Sequence, residues 1–127
     1  MKTSLINAVV LAEDYDKLVA WYIKTFSLDI AQKVEKGYYY TELAQDGYMI
    51  LGIAKTKEMG VTPTRPKNNS VIIQLKVSNI RELFARVKNS GKVLFGPSKD
   101  KDGGFRYGGI ADPEGNQIWV VERKNDE

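Results

Sequence analysis

Along the chain, apolar positions alternate with polar ones, shift to a helical period, then alternate again, and this succession occurs twice. The stretch Ser4 to Asp14 is rich in aliphatic and β-branched residues and ends in acidic turn formers, which predicts a strand. Asp14 or Asp16 can cap a following helix, because Leu18, Trp21, Tyr22 and Phe26 recur at helical spacing between Tyr15 and Phe26. Three strands are predicted next: Ile30 to Val34, Tyr38 to Ala44 and Tyr48 to Ile53. Gly37 separates the first two, and Gln45-Asp46-Gly47 carries the Asp-Gly signal of a hairpin turn. A polar bridge from Lys55 to Ser70, with two prolines and paired asparagines, reads as a loop.

The pattern then restarts. Ser70 to Asn79 reads as a strand ending in a helix-capping Asn. Ile80 to Gly91 reads as an amphipathic helix with Ile80, Leu83, Phe84 and Val87 as its buried stripe and Gly91 as its C-cap. KVLFGP, FRYGGIAD and NQIWVVE supply three more strands. Both halves read β-α-β-β-β, so the predicted fold is α+β: one domain, 1–127, of two βαβββ modules, 1–54 and 70–127, joined by a linker at 55–69. Paired mixed sheets would carry helices on their outer faces and curve around a cleft. Strand alternation puts Gln117, Trp119 and Val121 on one face of the last strand and Ile118 and Val120 on the other. In the first strand Asn7, Val9 and Leu11 oppose Ala8 and Val10.

Composition narrows the chemistry. The 127 residues are 43% hydrophobic and 28% charged, enough for one soluble core. Without cysteine there can be no disulfide or thiolate metal site. Without histidine the chain lacks the commonest metal ligand and the side chain best suited to proton transfer near neutral pH. No apolar run approaches the roughly 18 residues of a membrane span, and the N-terminus lacks a signal-peptide layout. A cytoplasmic protein with no membrane partner is expected. The net charge of +3 is mild, and loop lysines are interleaved with acids instead of forming one basic stripe, so nucleic acid is not an expected partner.

The repeated unit resembles the glyoxalase, bleomycin-resistance and extradiol-dioxygenase superfamily, also called vicinal oxygen chelate. DYDKLVAWYIKTFSLDI is similar to its first helix and the turn after it, VSNIRELFARVKNSGKVLFGP to its second helix and Gly-Pro turn, and FRYGGIADPEGNQIWVVE to its closing hairpin. Metal enzymes of that superfamily carry His, Gln or Glu on cleft-facing strands of both halves. Aligning the strands places Asn7, Leu51, Ile72 and Trp119 there. Three apolar side chains and one amide cannot hold a divalent metal, so no metal or other cofactor is expected. The resemblance then implies the metal-free branch, whose members sequester an antibiotic or another planar, polar-edged ligand between sheets, usually as homodimers. The expected function is metal-independent binding of a small, partly aromatic organic molecule, for sequestration or sensing. The alternatives are a glyoxalase-like lyase or isomerase with an atypical site, and a protein-interaction module.

Several residues could serve such a site. Trp119 offers a flat ring and one N–H, or fills core space. Asn7 could orient a ligand through its amide, as could Gln74, which shares a face with Ile72; Lys76, further along, reaches toward solvent. Tyr38 and Tyr40 point one way and Tyr39 the other, so one set could line a cleft mouth or an interface. Arg106 could meet an anionic ligand group, or pair with Glu42, Asp112 or Glu122, the pairing being the favoured reading. Lys99 to Phe105 reads as a flap. Glu42 is the strand acid that could face the cleft and act as a base, but the sequence supplies it no partner.

Overall fold

A computed structural model describes residues 1–59, 71–102 and 104–123. The chain divides into two compact units, Met1–Pro63 and Thr64–Glu127. The first contains β1 (Val9–Ala12), α1 (Tyr15–Phe26), β2 (Asp29–Val34), β3 (Tyr40–Gln45), β4 (Tyr48–Lys55) and the short α2 (Thr56–Met59). Its sheet runs β1-β4-β3-β2, with β1 parallel to β4 and the other pairs antiparallel.

Asp14, not Asp16, caps α1: its carboxylate accepts from the Lys17 amide. Ser27 ends the helix in the left-handed conformation. Leu18, Val19 and Tyr22 are buried on α1, as are Val10, Thr41, Leu43, Leu51 and Ile53 on one face of the sheet. Tyr15 of α1 shares a buried hydrogen bond with Thr41 of β3, which identifies that face as the one the helix covers. Asp46 and Gly47, both at positive φ, form the two-residue turn between β3 and β4.

Two expectations change here. The first strand is shorter than predicted, because pairing with β4 holds only Val9 to Ala12 in the ladder. The bridge expected from Lys55 starts later: Lys55 completes β4, and the buried Thr56 hydroxyl opens α2 by donating to the Ala12 carbonyl at 2.7 Å. The rest of that bridge, 60–70, lies outside the described residues.

The second unit contains β5 (Ile73–Lys76), α3 (Ile80–Val87), β6 (Lys92–Lys99), β7 (Phe105–Ala111) and β8 (Gln117–Arg123), with sheet order β5-β8-β7-β6. Asn79 caps α3 by accepting from the Glu82 amide at 3.0 Å. Ile80, Leu83, Phe84 and Val87 are buried, as the apolar stripe predicts. The helix stops at Val87, and Gly91 closes the turn beyond it by donating to the Val87 carbonyl, so it is not the C-cap. Buried Asp112 organises the turn into β8: its carboxylate accepts from the amides of Glu114 and Asn116 and from the Asn116 side chain at 2.7–3.0 Å. Ile110, Ile118 and Val120 are buried on the α3 side of this sheet. In each unit one sheet face is covered by a helix, and the opposite face carries the candidate chemistry.

Candidate functional site

In the second sheet, register places Gln74, Trp119, Gly109 and Phe95 in one row across all four strands, on the face away from α3. The next row on that face is Lys76, Val121, Tyr107 and Ser98. Trp119 and Phe95 are each 42% exposed, and their rings meet edge to face at 6.2 Å. Two adjacent glycines make this geometry possible. A Cβ on Gly109 would sit 2.2 Å from a Phe95 ring carbon, and one on Gly108 would sit 2.4 Å from Phe84 of α3. One glycine seats an aromatic ring on the open face and the other seats one beneath. The result is a shallow apolar wall with an amide, Gln74, beside it. Such a wall suits a flat molecule with a polar edge.

The first sheet presents different chemistry. On its face away from α1, one row is Val9, Gly52, Glu42 and Gln32, and the next is Leu11, Ala54, Tyr40 and Val34. The Tyr40 ring lies across Gly52, where a Cβ would meet its hydroxyl and ring carbons at 2.6–2.9 Å. The Tyr40 hydroxyl donates to Glu42 Oε2 at 3.1 Å and accepts from Asn7 Nδ2 at 2.8 Å. Burial pushes the Tyr40 pKa above the ordinary tyrosine range; the Asn7 bond opposes that shift and the Glu42 bond supports it. The phenol therefore keeps its proton near neutral pH and donates it in the hydrogen bond to Glu42.

Of the residues singled out from sequence, Asn7 and Tyr40 come together on the first sheet, and Gln74 and Trp119 pair on the second. Ile72 lies just ahead of β5, half-buried, and Tyr38 lies exposed just ahead of β3. One reading is corrected, and one pair of alternatives is decided. Leu51 is 0% exposed and pairs with Leu43 on the helix-covered face, so Gly52 holds the open-face position. Arg106 pairs with Glu122 across β7 and β8, one residue out of phase with Tyr107 and Val121, and its Nη1 meets Glu122 Oε1 at 3.2 Å. Glu122 Oε2 also accepts from the Ile80 amide at the start of α3. Arg106 thus sits on the helix side, in the pairing that sequence favoured. Of the three tyrosines, Tyr39 turns to the helix side, where it meets Tyr15 edge-on and lies under the Lys55 ammonium.

Phe95 and the glycines beneath the rings escaped sequence reasoning. Phe95 lies on an edge strand whose register to β7 shifts twice, so period-two counting cannot assign its face. The ring seats at Gly52 and Gly109 had one weak signal: glycine inside an otherwise regular strand pattern marks a close approach.

A divalent metal needs several carboxylate or imidazole donors. Among the described residues no group of three such side chains lies close enough to hold one. Each open face, taken by itself, also lacks the set: Glu42 with neutral neighbours on one, an indole with an amide on the other. The described residues of each face do not fit a metal centre.

The sequence model of the Glyoxalase/Bleomycin resistance protein/Dioxygenase superfamily matches residues 5–120. No curated protein matches the sequence. Among solved structures, a hypothetical protein from S. aureus is similar with a TM-score of 0.73 at 19% identity, covering 96% of this chain and 95% of that one. A mutant of glyoxalase I from Zea mays is similar over 91% of this chain and 44% of its own, with a TM-score of 0.72 at 18% identity. TioX from Micromonospora sp. ML1 covers 92% of this chain and 98% of its own, with a TM-score of 0.68 at 18% identity. At such identities the likeness establishes the fold.

Proposed function

The chain belongs to the Glyoxalase/Bleomycin resistance protein/Dioxygenase superfamily, and from that membership we propose that it is a metal-independent binding protein for a small, partly aromatic molecule. Binding uses the open sheet faces, for sequestration or sensing. The observation that carries this reading is Trp119, half-exposed on a strand face beside Phe95 where a folding core would bury both rings. An exposed aromatic pair costs solvation that a stacked ligand would recover. The donor set supports the metal-free part: an indole, an amide and a glycine stand where coordination would need acids or imidazoles.

Intrinsic fluorescence gives a direct test, because the chain has two tryptophans and the other, Trp21, is only 7% exposed. Planar aromatic ligands should quench Trp119 saturably, and Trp119→Ala should lower their affinity about tenfold, the worth of one good aromatic contact. Affinity unchanged in that variant would overturn the reading, as would stoichiometric nickel, zinc or iron in the purified protein. The proposal also includes assembly as a homodimer in the cytoplasm, which sedimentation and fractionation would check.

A second reading is an enzyme of lyase or isomerase type acting through one carboxylate. The Tyr40–Glu42 hydrogen bond favours it by supplying Glu42 with a positioned neighbour. Turnover of a glyoxalase-type substrate by metal-free protein, abolished in Glu42→Gln, would establish it.

A further inference from the structure

We propose that the open face of the first sheet recognises a cationic, N–H-rich group, a primary ammonium or an amidinium, with Glu42 as the counter-charge. This rests on the reading above that the open sheet faces bind ligand, and adds the charge of the group that the first sheet takes. The direction of each hydrogen bond leads there. Tyr40 has one hydroxyl proton and gives it to Glu42 Oε2, so its oxygen is the acceptor for Asn7 Nδ2. The phenol proton and one Asn7 N–H are thus committed along the relay, toward the carboxylate. What remains is mainly acceptor capacity: Glu42 Oε1, the free lone pairs of Oε2 and the Asn7 carbonyl, beside the second Asn7 N–H.

Glu42 is half-buried, and among the described residues no cation stands within ion-pair distance of it. Lys33 is paired with Glu35 at 2.9 Å and lies on the helix-side row with Thr41. A half-buried carboxylate with one hydrogen bond keeps acceptor capacity that an incoming N⁺–H donor can fill with a charge-assisted bond. Gly52 permits the arrangement, since any side chain there would displace the Tyr40 ring. The two modules confirm that this is a local specialisation. Val9 and Gln74 stand equally far ahead of their caps, Asp14 and Asn79, so Gly52 corresponds to Trp119 and Glu42 to Gly109. One face has the charge and the other has the rings.

The test uses three indoles of similar size on the 15N-labelled full chain: tryptamine (cationic), indole-3-propionamide (neutral) and indole-3-propionate (anionic). Tryptamine should bind about tenfold tighter than the amide and shift the amide resonances of Tyr40, Glu42 and Gly52. Glu42→Gln, which keeps the shape and still accepts from Tyr40, should reduce that preference to under about threefold. Tyr40→Phe, the positioning variant, should reduce that preference partially. Equal binding of all three probes, binding of none, or a preference that survives Glu42→Gln overturns the proposal. If every indole shifts the Trp119 and Phe95 resonances regardless of charge, the ligand-binding reading stands and the cation site falls. If tryptamine shifts Glu42 and leaves Trp119 untouched, the cation site stands and the aromatic reading falls.

Discussion

Replacing Gly109 with alanine probes the aromatic wall at its foundation. The new Cβ would lie 2.2, 2.7 and 2.8 Å from Phe95 ring carbons, far inside contact distance. Backbone strain is not at issue, because Gly109 is not among the glycines at positive φ. Phe95 stands on an edge strand with its ring 42% exposed, so it can swing away. Doing so forfeits the edge-to-face contact with Trp119, about 0.5–1.5 kcal/mol. It also wets the covered part of the ring, about 1 kcal/mol, or roughly half the value of burying a whole Phe side chain. The reduced freedom of alanine in the unfolded chain offsets about 0.4–1 kcal/mol. A net loss of about 1 kcal/mol follows, with about 2 as the upper bound. Urea unfolding followed by tryptophan fluorescence and circular dichroism should show a lower midpoint at unchanged slope. The decisive comparison is the double mutant with Phe95→Ala, where no ring obstructs the new Cβ and alanine at 109 should be neutral or slightly stabilising. An equal loss in both backgrounds would refute the seat.

Three other outcomes are expected. Glu122→Ala should cost about 2–3 kcal/mol, because it leaves the Ile80 amide at the start of α3 without its acceptor and Arg106 without its partner; a thermal midpoint within 1 °C of wild type would contradict this. Asp112→Ala removes three hydrogen bonds at a buried turn and should cost about 2–4 kcal/mol, with Asp112→Asn recovering only part; full recovery by Asn would mean that the carboxylate charge is irrelevant. Tyr40 holds its proton more tightly folded than unfolded, so its contribution is fully present below about pH 10, the unfolded tyrosine value, and is lost as pH rises through the folded one. Tyr40→Phe should flatten that alkaline decline in a pH series of urea midpoints, and an unaltered slope would refute the assignment.

The architecture was legible because its signals are local. The cap at Asn79, the buried stripe of α3 and the Asp-Gly turn at 46–47 each depend on neighbours within a few residues. Repetition of those signals revealed two modules. Leu51 went wrong for a physical reason: an apolar run from Met49 to Ala54 has no alternation to show which side is covered, so only pairing with Leu43 assigns its face. Arg106 presented the same ambiguity among three acids, and sheet register chose Glu122.

By itself, then, the sequence determined the main strands and the two longer helices, their duplication, the absence of imidazole and thiolate, and the prominence of Trp119. Only the tertiary structure decided which side chains share a face. It placed Phe95 over Gly109 beside that indole, laid Tyr40 over Gly52 and joined Asn7, Tyr40 and Glu42 into one relay. The reason is range. Caps and periodicity are written in consecutive residues, whereas a site row such as Gln74, Trp119, Gly109 and Phe95 is drawn from four strands whose offsets depend on pairing and bulges.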